Sequence, residues 1–111
     1  MYKEGNEIIA NYLGYKYYSK EEDPYEYGWR LDKSKKYRRD YFLSRKPNLL
    51  IHLDSKFLLI VLFYILINKN IEFTHINGEI KFHINEELYA VNLNNTKSIY
   101  FNIILLIQNY G

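Results

Sequence analysis

The side chains best suited to proton transfer or metal ligation are three histidines and thirteen carboxylates, in a sequence that contains no cysteine. His52 and Asp54 are two apart and would share one face of a strand, the arrangement needed for an acid–base pair or two ligands of a metal. No third ligand is placed beside them by spacing. The simpler reading is a local hydrogen bond next to a helix cap. His75 falls on the apolar face of an expected hairpin, as a core or rim residue. His83 falls opposite Glu72 as an exposed cross-strand pair, and Glu86-Glu87 reads as a charged turn. There is no glycine-rich phosphate loop, no nucleophile elbow and no metal-spaced histidine set. Without cysteine, thiolate zinc sites, disulfides and a cysteine nucleophile are excluded. The sequence therefore leads to the expectation of a protein that is not an enzyme, with no cofactor and no metal.

A different chemistry is concentrated between Arg30 and Lys46. The formal net charge of the chain is only +2, yet this segment holds eight basic residues, Arg30, Lys33, Lys35, Lys36, Arg38, Arg39, Arg45 and Lys46, against Asp32 and Asp40. Trp29, Tyr37, Tyr41 and Phe42 are interleaved with them. Cations that meet phosphates, next to rings that stack on unpaired bases, are the combination used for single-stranded nucleic acids. The same patch can pair with the carboxylates of a protein or dock in the nucleic-acid groove of a ribonucleoprotein. Its plainer role is a solvated strand edge, kept from aggregating by its lysines. The expected binding residues are Arg30, Lys33, Lys35, Lys36, Tyr37, Arg38, Arg39, Tyr41, Arg45 and Lys46. Thirteen tyrosines in 111 residues fit an interface as well as an AT-rich coding sequence.

The elements that must position this segment are organised around Phe57–Ile67 (FLLIVLFYILI), eleven apolar residues in succession. The run is too long for a usual strand, and Asp54 or Ser55 can cap its first N–H groups, so it is expected to be a helix. Eleven residues span roughly 16 Å, about half a bilayer core, which argues against a membrane span. A helix apolar on all sides must be covered on all sides.

Before it, Asn6 is placed to cap a short helix, Glu7–Leu13, that carries Ile8, Ile9, Tyr12 and Leu13 and ends at Gly14. Tyr15–Ser19 and Tyr25–Leu31 are expected to pair as a hairpin across the acidic loop around Glu21-Glu22-Asp23-Pro24. A third strand is expected at Tyr37–Leu43, and a short buried strand at Leu49–Leu53. After the helix, Asn77-Gly78 is the preferred pair for a type I′ turn. The resulting register sets Ile71 against Ile84, Phe73 against Phe82 and His75 against Ile80 on an apolar face. Glu72 then meets His83, Thr74 meets Lys81 and Ile76 meets Glu79 on a polar one. Leu88–Leu93 is expected as a third strand. Asn94-Asn95-Thr96 caps a last helix, Lys97–Tyr110, whose thin polar stripe of Ser98, Asn102 and Asn109 leaves apolar surface for a partner.

The fold class is therefore α+β: a mainly antiparallel sheet with helices packed on it, in the order α-ββ(β)-α-βββ-α, in a single domain spanning residues 1–111. The residues after Met1 (Tyr-Lys-Glu-Gly-Asn-Glu) form no apolar signal segment and neither end carries a lipidation motif, so a cytoplasmic location is expected.

The strings IIANYLGYKYY (8–18), YGW (27–29), IHLD (51–54) and IYFNIILLIQNY (99–110) resemble small phage-type proteins of the ABA-sandwich group. That group has a helix-to-strand entry, a histidine shortly before a central helix and a closing aromatic helix. The resemblance implies an α-β-α layered fold and a phage or prophage accessory role, and supplies no catalytic residues. Together with the small size and the basic surface, it leads to the expectation of a non-enzymatic inhibitor of a host defence machine, an RNA-guided CRISPR nuclease being a plausible target. A stand-alone RNA- or single-stranded-DNA-binding module and a structural homo-oligomer are the alternatives. The partners expected are a host protein or ribonucleoprotein complex, or RNA, without a membrane.

Overall fold

A computed structural model describes residues 2–31, 42–44, 47 and 49–111, the side chains of 42–44 excepted. The fold is α+β, and its elements follow in the order expected from the sequence. The chain divides into two compact units, residues 1–49 and 50–111.

In the first unit, helix α1 (Tyr2–Tyr12) leads through a turn at Gly14 (φ 92°) into β1 (Tyr15–Tyr18). That φ lies in the left-handed region, which a residue without Cβ enters at little cost. The helix begins earlier than Asn6, which is not its cap. Asn6 is buried inside α1, and its Nδ2 donates to the Leu49 carbonyl at 2.7 Å. A buried amide must be bonded, and the stretch before the second unit supplies the acceptor.

Strand β1 pairs antiparallel with β2 (Gly28–Leu31), Tyr15 opposite Leu31, Lys16 opposite Arg30, Tyr17 opposite Trp29 and Tyr18 opposite Gly28. The acidic loop between them is built from its own side chains: Ser19 Oγ accepts from the Glu22 N–H and Asp23 Oδ1 from the Glu26 N–H. These local bonds offer the backbone an alternative to the ladder and end both strands. Strand β3 (Phe42–Ser44) pairs with β2 through a register shift between Trp29 and Arg30. Residues 37–41 of the expected third strand lie outside the described residues.

In the second unit, the expected strand at Leu49–Leu53 is instead a 3₁₀ turn over Ile51–Leu53. The Leu50 and Ile51 carbonyls accept from the N–H groups of Leu53 and Asp54, and Leu53 is 69% exposed. The turn sets Asp54 at the start of α2 (Ser55–Asn68), where its Oδ1 accepts from the Phe57 N–H at 3.0 Å. Removing this cap with Asp54→Ala should lower stability by about 1 kcal/mol in urea unfolding, while Asp54→Ser should recover most of it. At the other end Asn70 (φ 55°) takes the left-handed cap position, with the Ile71 N–H on the Leu66 carbonyl and the Asn70 N–H on that of Ile67.

The sheet of this unit has the order β4-β5-β6, all antiparallel, with β4 at Phe73–Ile76, β5 at Glu79–Ile84 and β6 at Glu87–Asn92. Asn77 and Gly78 both have positive φ, and Phe73, Thr74, His75 and Ile76 pair with Phe82, Lys81, Ile80 and Glu79 as the turn dictates. Because β4 starts at Phe73, the expected pairings of Ile71 and Glu72 fall beyond its end, and His83 instead faces Leu88 of β6. A second positive-φ pair, Asn85 and Glu86, joins β5 to β6. Helix α3 (Thr96–Tyr110) is capped by Asn95, whose Oδ1 accepts from the Ser98 N–H.

One face of the sheet is buried through Ile80, Phe82, Ile84 and Val91, and α2 and α3 bury Leu58, Leu62, Ile65, Leu66, Ile99, Tyr100, Ile103 and Leu106. The opposite face exposes Thr74, Ile76, Lys81, His83, Leu88 and Ala90. On α2, Ile60, Tyr64 and Ile67 are 62%, 51% and 67% exposed among the described residues.

Candidate partner-binding surface

The β1–β2 hairpin has two unlike faces because strand residues alternate. Trp29 and Leu31 are buried on one, where the Tyr17 and Trp29 rings lie 5.8 Å apart and Trp29 Nε1 donates to the Pro47 carbonyl at 3.1 Å. The other face carries Lys16 opposite Arg30, with Tyr18 two residues along from Lys16. Directly opposite residues have Cβ atoms about 5 Å apart, so the register alone brings two cations together.

Lys16 Nζ lies 5.3 Å from the centre of the Tyr18 ring, and Lys20 Nζ lies 5.7 Å from that of Tyr27. Each ammonium is drawn to the negative face of a phenol ring, an attraction of about 0.5–1 kcal/mol at exposed sites. The contact holds the charge without neutralising it. Two cation–ring pairs result, one on the Lys16–Arg30 face of the ladder and one at the loop that joins β1 to β2, and the basic segment of the sequence begins at Arg30.

Of the ten residues expected to bind a partner, Arg30 is placed by the structure, half-buried on this face. Lys33, Lys35, Lys36, Tyr37, Arg38, Arg39, Tyr41, Arg45 and Lys46 lie outside the described residues. Lys16 and Lys20 were not among the expected residues. The signal for Lys16 was the alternation in Tyr15-Lys16-Tyr17-Tyr18, which sets its side chain opposite to Tyr15 and Tyr17.

The titratable residues elsewhere are engaged separately. Asp54 caps α2 through its carboxylate, while the His52 ring meets that of Tyr100 edge-on, with centres 6.3 Å apart. The His75 ring is exposed on β4 and lies 6.3 Å from that of Phe63. His83 and Lys81 border a shallow cleft of about 550 Å³ on the open sheet face, where Lys81 is ion-paired to Glu79 at 3.6 Å. Tyr89 donates its hydroxyl to Glu87 at 2.8 Å, and that hydrogen bond raises the phenol's pKa above its ordinary value. A tyrosine acting as a base would need the opposite shift. Among the described residues no group of three or more His, Cys, Asp or Glu side chains could hold a metal ion, and no helix is long and apolar enough to cross a membrane.

No family model matches the sequence, and no curated protein and no solved structure is similar enough to count as a match.

Proposed function

We propose that this chain is a non-enzymatic phage-type accessory protein that binds and inhibits a host defence machine, with an RNA-guided CRISPR nuclease as the target class its chemistry suits. The observation that carries the proposal is the hairpin face on which Lys16 stands opposite Arg30 beside the Tyr18 ring. It extends the cationic, aromatic composition of residues 30–46 onto a rigid antiparallel pair. Such a face suits an anionic surface of a ribonucleoprotein, whether phosphates of its bound RNA or carboxylates of its protein, because the same cations pair with either. The phage role rests on the resemblance of residues 8–18, 27–29, 51–54 and 99–110 to the ABA-sandwich group, and inhibition in the host cytoplasm follows from that role.

The Lys16–Tyr18 and Lys20–Tyr27 pairs also favour a second reading, a stand-alone module for RNA or single-stranded DNA, since part-exposed tyrosine rings beside cations can stack on bases. Affinity capture from the native host, run with and without nuclease, separates the two. The inhibitor reading expects one protein or ribonucleoprotein complex to be retained after nuclease treatment. Recovery of nucleic acid alone, lost on treatment, would replace it with the second reading, and recovery of neither would reject both.

A further inference from the structure

We propose that Asn77-Gly78, the turn between β4 and β5, is a site of spontaneous covalent modification, at which water converts the asparagine to an isoaspartyl link that takes β4 out of the sheet. The chemistry needs a side-chain amide followed by a backbone nitrogen that no side chain crowds. Gly78 supplies that nitrogen without a Cβ, whereas every other asparagine of the sequence precedes a residue that has one. Asn77 is exposed, and both residues lie outside the ladder, whose last pair is Ile76 with Glu79. As folded, the turn holds φ at 54° and 72°, so the reaction waits on its opening. Opening is local, because β4 is four residues long and pairs with β5 alone among the described strands, while β5 and β6 stay joined.

In the first step the Gly78 nitrogen attacks Asn77 Cγ. The N–Cγ bond forms, the Cγ–Nδ2 bond breaks, and Nδ2 leaves as ammonia with the proton that the Gly78 nitrogen gives up. The succinimide ring so formed then takes up one water. Cleavage of the new N–Cγ bond leaves an aspartate. Cleavage of the bond from the Gly78 nitrogen to the backbone carbonyl carbon leaves an isoaspartate, with the main chain routed through Cβ and Cγ and the α-carboxylate set free. The two products differ in what they do to the sheet. Aspartate before glycine suits the same type I′ turn. Isoaspartate lengthens the main chain by one methylene, which a two-residue turn cannot absorb while Phe73, Thr74, His75 and Ile76 keep their partners. The Gly78 carbonyl, which accepts from the Leu93 N–H at 2.9 Å, is displaced with it.

The full chain, aged in mildly alkaline buffer below its unfolding temperature and mapped by mass spectrometry at intervals, tests the reaction. Deamidation at position 77 should outpace that at any other asparagine by at least about tenfold. Methylation of the freed α-carboxylate by an isoaspartyl methyltransferase identifies the isoaspartate. Hydrogen exchange on the aged protein reads the consequence, loss of protection at the β4 amides that pair with β5. Asn77→Gly leaves a glycine pair suited to the same turn and no amide to react, so its β4 should stay protected on ageing. Fresh Asn77→Asp should also keep its protection, which separates the added charge from the lengthened chain. Deamidation at position 77 no faster than elsewhere, or full β4 protection in protein that carries isoaspartate there, would overturn the proposal. So would equal loss of protection in aged Asn77→Gly or in fresh Asn77→Asp. None of these readouts involves a partner, so the result stands apart from the function proposed above.

Discussion

Phe82→Ala is expected to remove about 3–5 kcal/mol of stability, a large part of the 5–15 kcal/mol typical of a domain. Phe82 sits at the centre of β5, 1% exposed, between Phe73 on one neighbouring strand and Tyr89 on the other. Its ring stacks on Tyr89 with centres 6.0 Å apart and planes 20° from parallel. Truncation would forfeit the transfer free energy of the ring and leave a void that Ile80 and Ile84, two residues either way along β5 on the same face, cannot fill without leaving their own contacts. Urea unfolding followed by far-ultraviolet circular dichroism measures the loss. His83→Ala is the matching control, one residue along on the exposed face, and should change stability by no more than about 0.5 kcal/mol. Equal effects would mean that β5 does not bury the face assigned to it.

Trp29→Ala carries a comparable cost in the first unit, again about 3–5 kcal/mol. Two contributions combine here. The indole is 5% exposed against Tyr17, and its Nε1–H satisfies the Pro47 carbonyl at 3.1 Å. Trp29→Phe separates them: it keeps most of the apolar packing and removes the donor, so it should cost about 1–3 kcal/mol. The consequence for function is specific, because Trp29 and Arg30 are neighbours on β2 with opposite faces. Loss of the Trp29 anchor frees the strand that presents Arg30, whereas Trp29→Phe at a temperature below its unfolding should bind partner as the unaltered protein does. Circular dichroism melts combined with partner binding for both variants check this. Full binding by Trp29→Ala would show that the hairpin's order does not matter to the surface.

The parts of the fold that could be read from sequence are those in which local chemistry and tertiary packing agree. Asn77-Gly78 fixes φ at two residues, and the register of four pairs follows from it. The run at Phe57–Ile67 has only one long regular solution, and Asp54 marks where it starts. Disagreement arose where a tertiary partner decided the role. Asn6 has the side chain of a cap, but the Leu49 carbonyl, 43 residues away, draws it inside the helix. Leu49–Leu53 has the composition of a strand, yet the Leu50 and Ile51 carbonyls take the N–H groups of Leu53 and Asp54, local bonds that close a 3₁₀ turn in place of a ladder. The Asn85-Glu86 turn was legible only in part, because glutamate at φ 75° departs from the glycine that such a position favours. At the binding surface, the count of cations singled out residues 30–46, but Lys16 became a candidate only through pairing with Arg30. Pairing across a loop is a property of register, which the acidic stretch between the strands leaves open.

Contact between the cationic hairpin face and an anionic partner is read from the affinity of the captured partner for the unaltered protein and for K16E/R30E, each measured over a salt series. Affinity for the unaltered protein should fall as salt rises, and the double reversal should weaken binding at low salt by at least about a hundredfold and flatten the salt dependence. The circular dichroism spectrum should stay unchanged, since Lys16 is exposed and Arg30 only half-buried. Equal affinity and an equal salt slope for the two proteins would mean that the hairpin face makes no such contact.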